Sequence, residues 1–362
     1  MQTDQKYFKP LTGLRFIAAL MVFVSHWLPR TYSPFINNIL VEFQSGVPIF
    51  FVLSGFLIGY RYFDPVNSVK DGLSNYFVNR FIRIVPIYLV ITIINCIWFQ
   101  LDWRTAILNL TLLHGFFPEY VFNPLPHTWS LTVECTFYLL VPFIFWLVRK
   151  GVEVLSQYLI FLTIGFLLTN ILGAFPVQYL WGEDTFMLVL TFFGRSFEFL
   201  VGIRLAFFVK SRPINFTFAP WKTYTGIFVF SVMLVILSLI KGLHSYWGIL
   251  LHNIMLPFCI AFVIYGLIAG RNIISTLLAT PLFQLLGNVS FVFFLIHYGF
   301  WQKFMIKYLF VDFLLCLLVT IILSIVLYKI IEEPLIKITK IQFSKFRNSK
   351  RYKQFKYQIK NI

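Results

Sequence analysis

Charge is what this sequence has least of. Asp, Glu, Lys and Arg make up 12% of its 362 residues, against about 25% in an ordinary soluble domain. A water-facing surface over the whole chain is therefore excluded. Cysteine is also scarce. Cys96, Cys135, Cys259 and Cys316 each fall inside an apolar stretch, at no spacing that suits zinc or a disulfide framework. They read as small buried apolar residues, and no Asp-His-His-Cys run supports a cysteine-based lipid transferase. What is abundant is apolar material, 59% of residues with a mean hydropathy of +0.80. It comes in blocks of about 20 residues, the length a helix needs to cross the hydrocarbon core. Backbone groups in lipid must find their partners within the segment, which leaves helices. The expected fold is all-α: a polytopic integral membrane protein of about ten transmembrane helices, over 11–29, 38–60, 82–100, 130–148, 157–175, 186–208, 224–241, 247–268, 283–302 and 309–331.

Acid is scarcer than base, 14 residues against 30, for a formal charge of +16. Nucleic acid is not the partner this suggests, because the excess sits in short loops and in a basic tail. With the N-terminus placed in the cytoplasm, 23 of the Lys and Arg residues fall on the cytoplasmic side and 5 outside. That asymmetry predicts both termini to be cytoplasmic. Residues 1–340 read as one transmembrane domain and 341–362 as a basic cytoplasmic tail. The tail carries Lys345, Arg347, Lys350, Arg351, Lys353, Lys356 and Lys360, suited to an anionic inner leaflet. The first block, Leu11 to Leu28, holds Arg15 and His26 with no small-residue cleavage site after it, so it reads as a retained span rather than a signal peptide. No soluble domain is expected at either end.

Ionisable residues inside spans cost several kcal/mol and are functional candidates by default. Arg15 and His26 are eleven residues apart, which on a helix returns to within about 20° of the same face after a rise of about 16 Å. Arg80 and Arg83 share a face at the mouth of the third span, where the planar fork of arginine suits phosphate. Glu134 follows Pro126, Trp129 and an expected N-cap at Ser130. It lies about 6 Å inside the outer end of its helix, at a depth where it is expected to meet His26 and fix its tautomer. His297 is expected within the membrane or near its outer side. Glu332 and Glu333, at a helix C-terminus, should have basic partners such as Lys329 or Lys337, and Arg195 should pair with Glu198 three residues on. His114 and His127 share a loop without metal-ligand spacing, and no metal is expected.

These residues carry a resemblance. Leu11-Thr12-Gly13-Leu14-Arg15 with His26, Gly46-Val47-Pro48-Ile49-Phe50-Phe51-Val52-Leu53-Ser54-Gly55, Arg80 and Arg83 before Pro86, Trp129-Ser130-Leu131-Thr132-Val133-Glu134 with Phe137-Tyr138, Gly287-Asn288-Val289-Ser290 through His297, and Glu333-Pro334 resemble, in order, the motifs of the acyltransferase-3 family of bacterial membrane O-acyltransferases. Two positions depart from its usual pattern: Cys135 stands where a second Glu is frequent, and Phe291 where Tyr is. The resemblance implies an acyl-CoA donor, acetyl-CoA in the first place. It implies a hydroxyl acceptor on a cell-surface or lipid-linked glycan such as O-antigen, lipopolysaccharide or exopolysaccharide, and residence in the bacterial inner membrane. On that reading Arg15, Arg80 and Arg83 hold the CoA phosphates. His26 acts as general base or carries the acyl group, and Glu134 orients it. Trp129, Ser130, His297 and Glu333 are substrate-side or structural. A transporter or flippase of lipid-linked glycan is the rival, since many spans with buried charges suit it too.

Overall fold

The computed structural model describes residues 8–27, 33–70, 72–173, 184–211, 220–240, 242–269, 272–308 and 312–348. Lys6, Arg30, Arg212, Lys241 and Arg271 of the charge count, and the tail from 349, lie outside the described residues. Helix α1 (Lys9–Trp27) is followed by α2 (Pro34–Val41), which runs through a 3-10 turn into α3 (Gly46–Tyr62). Two strands follow, β1 (Phe63–Asp64) and β2 (Ser68–Val69), paired antiparallel with Phe63 opposite Val69. Next come α4 (Leu73–Trp98), the short α5 (Trp103–Leu110), α6 (Trp129–Arg149) and α7 (Gln157–Gly173). Helices α8 (Asp184–Leu190) and α9 (Phe192–Ser211) form one run, and α10 (Pro220–Leu239) stands alone. A π turn over Leu251–Met255 joins α11 (Tyr246–Leu250) to α12 (Leu256–Ala269). The chain continues through α13 (Ile273–Leu278), α14 (Pro281–Ile296), α15 (Phe300–Tyr308) and α16 (Phe313–Leu327). A second π turn, Tyr328–Glu332, leads into α17 (Glu333–Asn348).

The protein is a multi-pass helical membrane protein, as expected. Among the described residues eight helices or helix runs are long and apolar enough to cross a membrane, and nine if the pair α14–α15 is one broken span. The expected span 157–175 is α7, whose 17 described residues are about 26 Å long at 1.5 Å per residue, at the lower end of what crosses a 30 Å core. The expected span 283–302 is bent by 80° between α14 and α15. Hydropathy measures apolar length and is blind to direction. The bend is built at Gly299, whose φ of +84° suits a residue without Cβ. It is fixed from outside by Asn95 of α4, whose Oδ1 accepts the Phe300 backbone N–H at 2.9 Å.

Helix α1 sits inside the bundle. Two close helix pairs place it, and each depends on glycine, as close packing in lipid generally does. A Cβ on Gly287 of α14 would lie 2.0 Å from the Thr12 carbonyl of α1. Between α3 and α9, a Cβ on Gly55 would lie 2.1 Å from the Phe199 carbonyl, and one on Gly202 would lie 2.2 Å from that of Val52. A stack of Phe51, Phe199 and Phe137, with ring centroids 4.6 and 4.0 Å apart, ties α3 and α9 to α6. Arg15 thereby comes to face α3, α4, α6 and α14, and His26 the end of α14.

Candidate active site

Three arginines open the site. Arg80 and Arg83, one turn apart on α4, and Arg15 of α1 line a cleft of about 450 Å³ together with Arg61, Lys340 and Glu332. Among the described residues five cations thus face a single carboxylate. Arg80 is held in place: it is buried, donates from Nη2 to the Tyr62 hydroxyl at 3.0 Å, and lies over the rings of Tyr62 and Tyr138. Its Nε has no hydrogen-bond partner. Arg15 and Arg83 make no hydrogen bond and no ion pair among the described residues. An uncompensated cation at membrane depth is costly, so this cleft is built for an anion.

The cleft continues into a narrower chamber of about 50 Å³. Arg15, Arg83, Ser290 and Phe291 line both. Glu134 is here, with Ser54, Ser130 and Tyr138. Its Oε1 accepts from the Ser54 hydroxyl at 2.6 Å and from the Tyr138 hydroxyl. The structure therefore does not bring Glu134 to His26, as depth alone had suggested. Glu134 faces Arg15 across the chamber instead. Ser130 is not an N-cap either: α6 begins one residue earlier, and the Ser130 hydroxyl donates to the His127 carbonyl at 2.9 Å.

At the far end of the chamber stands Phe294, whose ring packs on those of Phe50, His127 and His297, with centroids 5.9, 5.1 and 5.6 Å away. Beyond it is His26, an exposed residue in the last turn of α1. Its partner is His297, at the C-terminal end of α14. The two imidazoles lie edge to edge, with centroids 5.2 Å apart, planes 4° from parallel and Nδ1 of His26 2.9 Å from Nε2 of His297. Tyr298 meets His26 edge-on at 5.3 Å. His127 is buried 4.6 Å from His297, with neither ring nitrogen in a hydrogen bond. His114, outside the spans, is a structural residue bonded at Nε2 to the Thr128 hydroxyl at 3.0 Å. Burial pulls its pKa down to about 4, so it is neutral at physiological pH. Among the described residues no group of three or more His, Cys, Asp or Glu could hold a metal.

The expected pair Arg195–Glu198 is present at 3.0 Å and fully buried. Its setting was not expected. The π turn of Leu251–Met255 turns His252 and Asn253 toward it, and Arg195 Nη1 donates to His252 Nδ1 and Asn253 Oδ1, each at 3.0 Å. The guanidinium also lies 5.8 Å from the ring of Trp129, which places that motif residue in a packing role. Glu198→Ala is expected to destabilise the protein by about 3–5 kcal/mol by stranding a buried cation, while Arg195→Met with Glu198→Leu recovers most of the loss. Thermal unfolding in detergent checks both. Glu333 pairs with Lys337 at 2.8 Å, whereas Glu332 is buried in the wall of the basic cleft with Oε2 unpaired. Sequence reasoning gave no role to Ser54, Tyr138, Tyr298 or Lys340. A signal existed for Tyr138, one helical turn from Glu134 on the same face, and for Ser54, inside the second-span motif.

The family described as "Acyltransferase domain" matches residues 9–329. Among curated relatives, the acyltransferase MdmB of Streptomyces mycarofaciens is 32% identical over 160 residues, 39% of this chain and 40% of that protein. A Staphylococcus aureus protein named as an O-acetyltransferase is 25% identical over 331 residues, 81% of this chain and 50% of that protein. The peptidoglycan O-acetyltransferase OatA of Listeria monocytogenes is 25% identical over 238 residues, 56% of this chain and 34% of that protein. The chain spans half or less of the length of these relatives. No solved structure matches.

Proposed function

The chain belongs to the acyltransferase-3 family, and we propose that it is an O-acyltransferase of the bacterial cytoplasmic membrane. It moves an acyl group, acetyl in the first place, from acyl-CoA to a hydroxyl of a cell-surface or lipid-linked glycan. One observation carries this reading. A cleft rich in arginine opens into the Glu134 chamber beside α1, and the exposed His26 stands with His297 on the other side of Phe294, which lines that chamber. Relatives named as O-acetyltransferases, one of them for peptidoglycan, support the acyl group and the glycan class.

In this mechanism Arg15, Arg80 and Arg83 bind the CoA phosphates at the cytoplasmic mouth, through charge-assisted hydrogen bonds that arginine can make two at a time. The pantetheine arm is thin and polar at intervals. It enters the narrow chamber, where Glu134, Ser54 and Ser130 meet its amide groups. The thioester then arrives behind Phe294, next to the histidines. His26 takes the proton of the acceptor hydroxyl as its oxygen attacks the thioester carbonyl. The C–S bond breaks, and the thiolate leaves with that proton. Transfer through an acyl-His26 uses the same side chain twice.

Purified protein in lipid nanodiscs, given labelled acetyl-CoA and a cell-wall or lipid-linked glycan, is expected to move label to the glycan and release CoA. Glycan translocation without acetyl-CoA turnover would instead establish a flippase, and this reading would fall.

A further inference from the structure

We propose that His297 is a positioning residue that fixes which ring nitrogen of His26 does the chemistry. The proposal rests on the reading of His26 as the acceptor-side base. His297 Nδ1 lies 2.6 Å from the Phe294 carbonyl, and a carbonyl only accepts, so Nδ1 of His297 carries a proton. The ring is fully buried among Phe23, Phe293, Phe294 and His127. No carboxylate is among these neighbours, so a second proton would put an unpaired charge in apolar surroundings. His297 is therefore neutral, and its Nε2 presents a lone pair.

That lone pair faces Nδ1 of His26 at 2.9 Å, so the proton between them belongs to His26. In a neutral imidazole one nitrogen is a donor and the other an acceptor. With Nδ1 donating, Nε2 of His26 is left as the basic and nucleophilic atom. His297 performs the part that a carboxylate plays for the histidine of a hydrolase triad, but as a neutral acceptor. It cannot pass the proton on, because its own Nδ1–H ends on a backbone carbonyl. Its position is fixed twice more. Its carbonyl accepts from Trp27 Nε1 at 2.6 Å, and its N–H donates to the Phe293 carbonyl at 3.1 Å. Trp27 follows His26 directly, so α1 and α14 are bonded together at this point.

The test has a spectroscopic arm and a kinetic arm. In protein labelled with 15N-histidine, the His26 resonances, assigned by their loss in His26→Gln, should show a protonated Nδ1 and a bare Nε2. In His297→Ala that preference should collapse toward an Nε2-protonated mixture. Acyl transfer should then fall about 100-fold in kcat, a loss typical of a mispositioned general base, with KM for acyl-CoA unchanged because the donor cleft is remote. His297→Gln, whose side-chain oxygen can accept from Nδ1, should recover part of the loss. An Nε2-protonated His26 in the unmodified protein, or an undiminished kcat in His297→Ala, would overturn the proposal. The first of these is read on the unmodified protein, with His26→Gln used only for assignment, so a His297 variant that fails to fold leaves the test decisive. It also needs no turnover, so a failure of the acyl-transfer reading stays distinguishable from a failure of this one.

Discussion

Replacing His26 by alanine is expected to lower acyl transfer by about 10³-fold or more, the scale of losing a positioned general base or nucleophile. Binding of acyl-CoA should be untouched. The two expectations separate because the histidine and the arginines occupy different places beside the chamber. The donor cleft is lined by residues of α1, α3, α4, α14 and α17, and His26 is not among them. Nor should the fold suffer much. His26 is exposed, and its removal leaves one buried acceptor, Nε2 of His297, without its donor. That costs about 1–3 kcal/mol, which a thermal unfolding curve would register as a modest shift. The same variant divides the two chemical routes. Mixed with acyl-CoA and no acceptor, unmodified protein that forms an acyl-histidine gains the acyl mass on the peptide containing Met21 to Trp27. Direct transfer gives no such adduct. Activity surviving in His26→Ala would remove the residue from the mechanism under either route.

How much of this was legible in the sequence depends on how local each feature is. The spans were legible because apolar length is a property of contiguous residues. The shared face of Arg15 and His26 was legible because helical geometry over eleven residues is nearly invariant. The pairs Arg195–Glu198 and Glu333–Lys337 were legible for the same reason, at three and four residues of separation. The partner of His26 was not. His297 is 271 residues away, and only the packing of α14 on α1 at Gly287 brings it near. Glu134 was assigned to His26 by depth, but depth fixes one coordinate of three. Around the helix axis Glu134 points at Ser54 and Tyr138. The 80° bend after α14 was likewise hidden: Gly299 permits it, but a side chain of α4 holds it.

The arginines of α4 give the second large effect, and the structure predicts that they will not behave alike. Arg83 has no hydrogen bond or ion pair among the described residues, so Arg83→Ala breaks no bond, and the relief of its repulsion with Arg15 offsets the loss of a cation near Glu332. Its stability should stay close to that of the unmodified protein. Donor binding, in contrast, loses hydrogen bonds to a charged phosphate, about 1.5–3 kcal/mol, or roughly 10- to 150-fold in KM. Arg83→Lys should recover only part of this, because an ammonium keeps the charge and loses the two-pronged geometry. Arg80→Ala should lose donor affinity and stability together. Its guanidinium bonds Tyr62 and covers the ring of Tyr138, whose hydroxyl in turn holds Glu134. Removing it loosens the chamber as well as the mouth, so kcat should fall along with affinity. Titrating acyl-CoA against both variants, beside their unfolding curves, separates the cases. Equal and unchanged affinities would refute the donor site, and equal losses of stability would refute the division of labour between the two arginines.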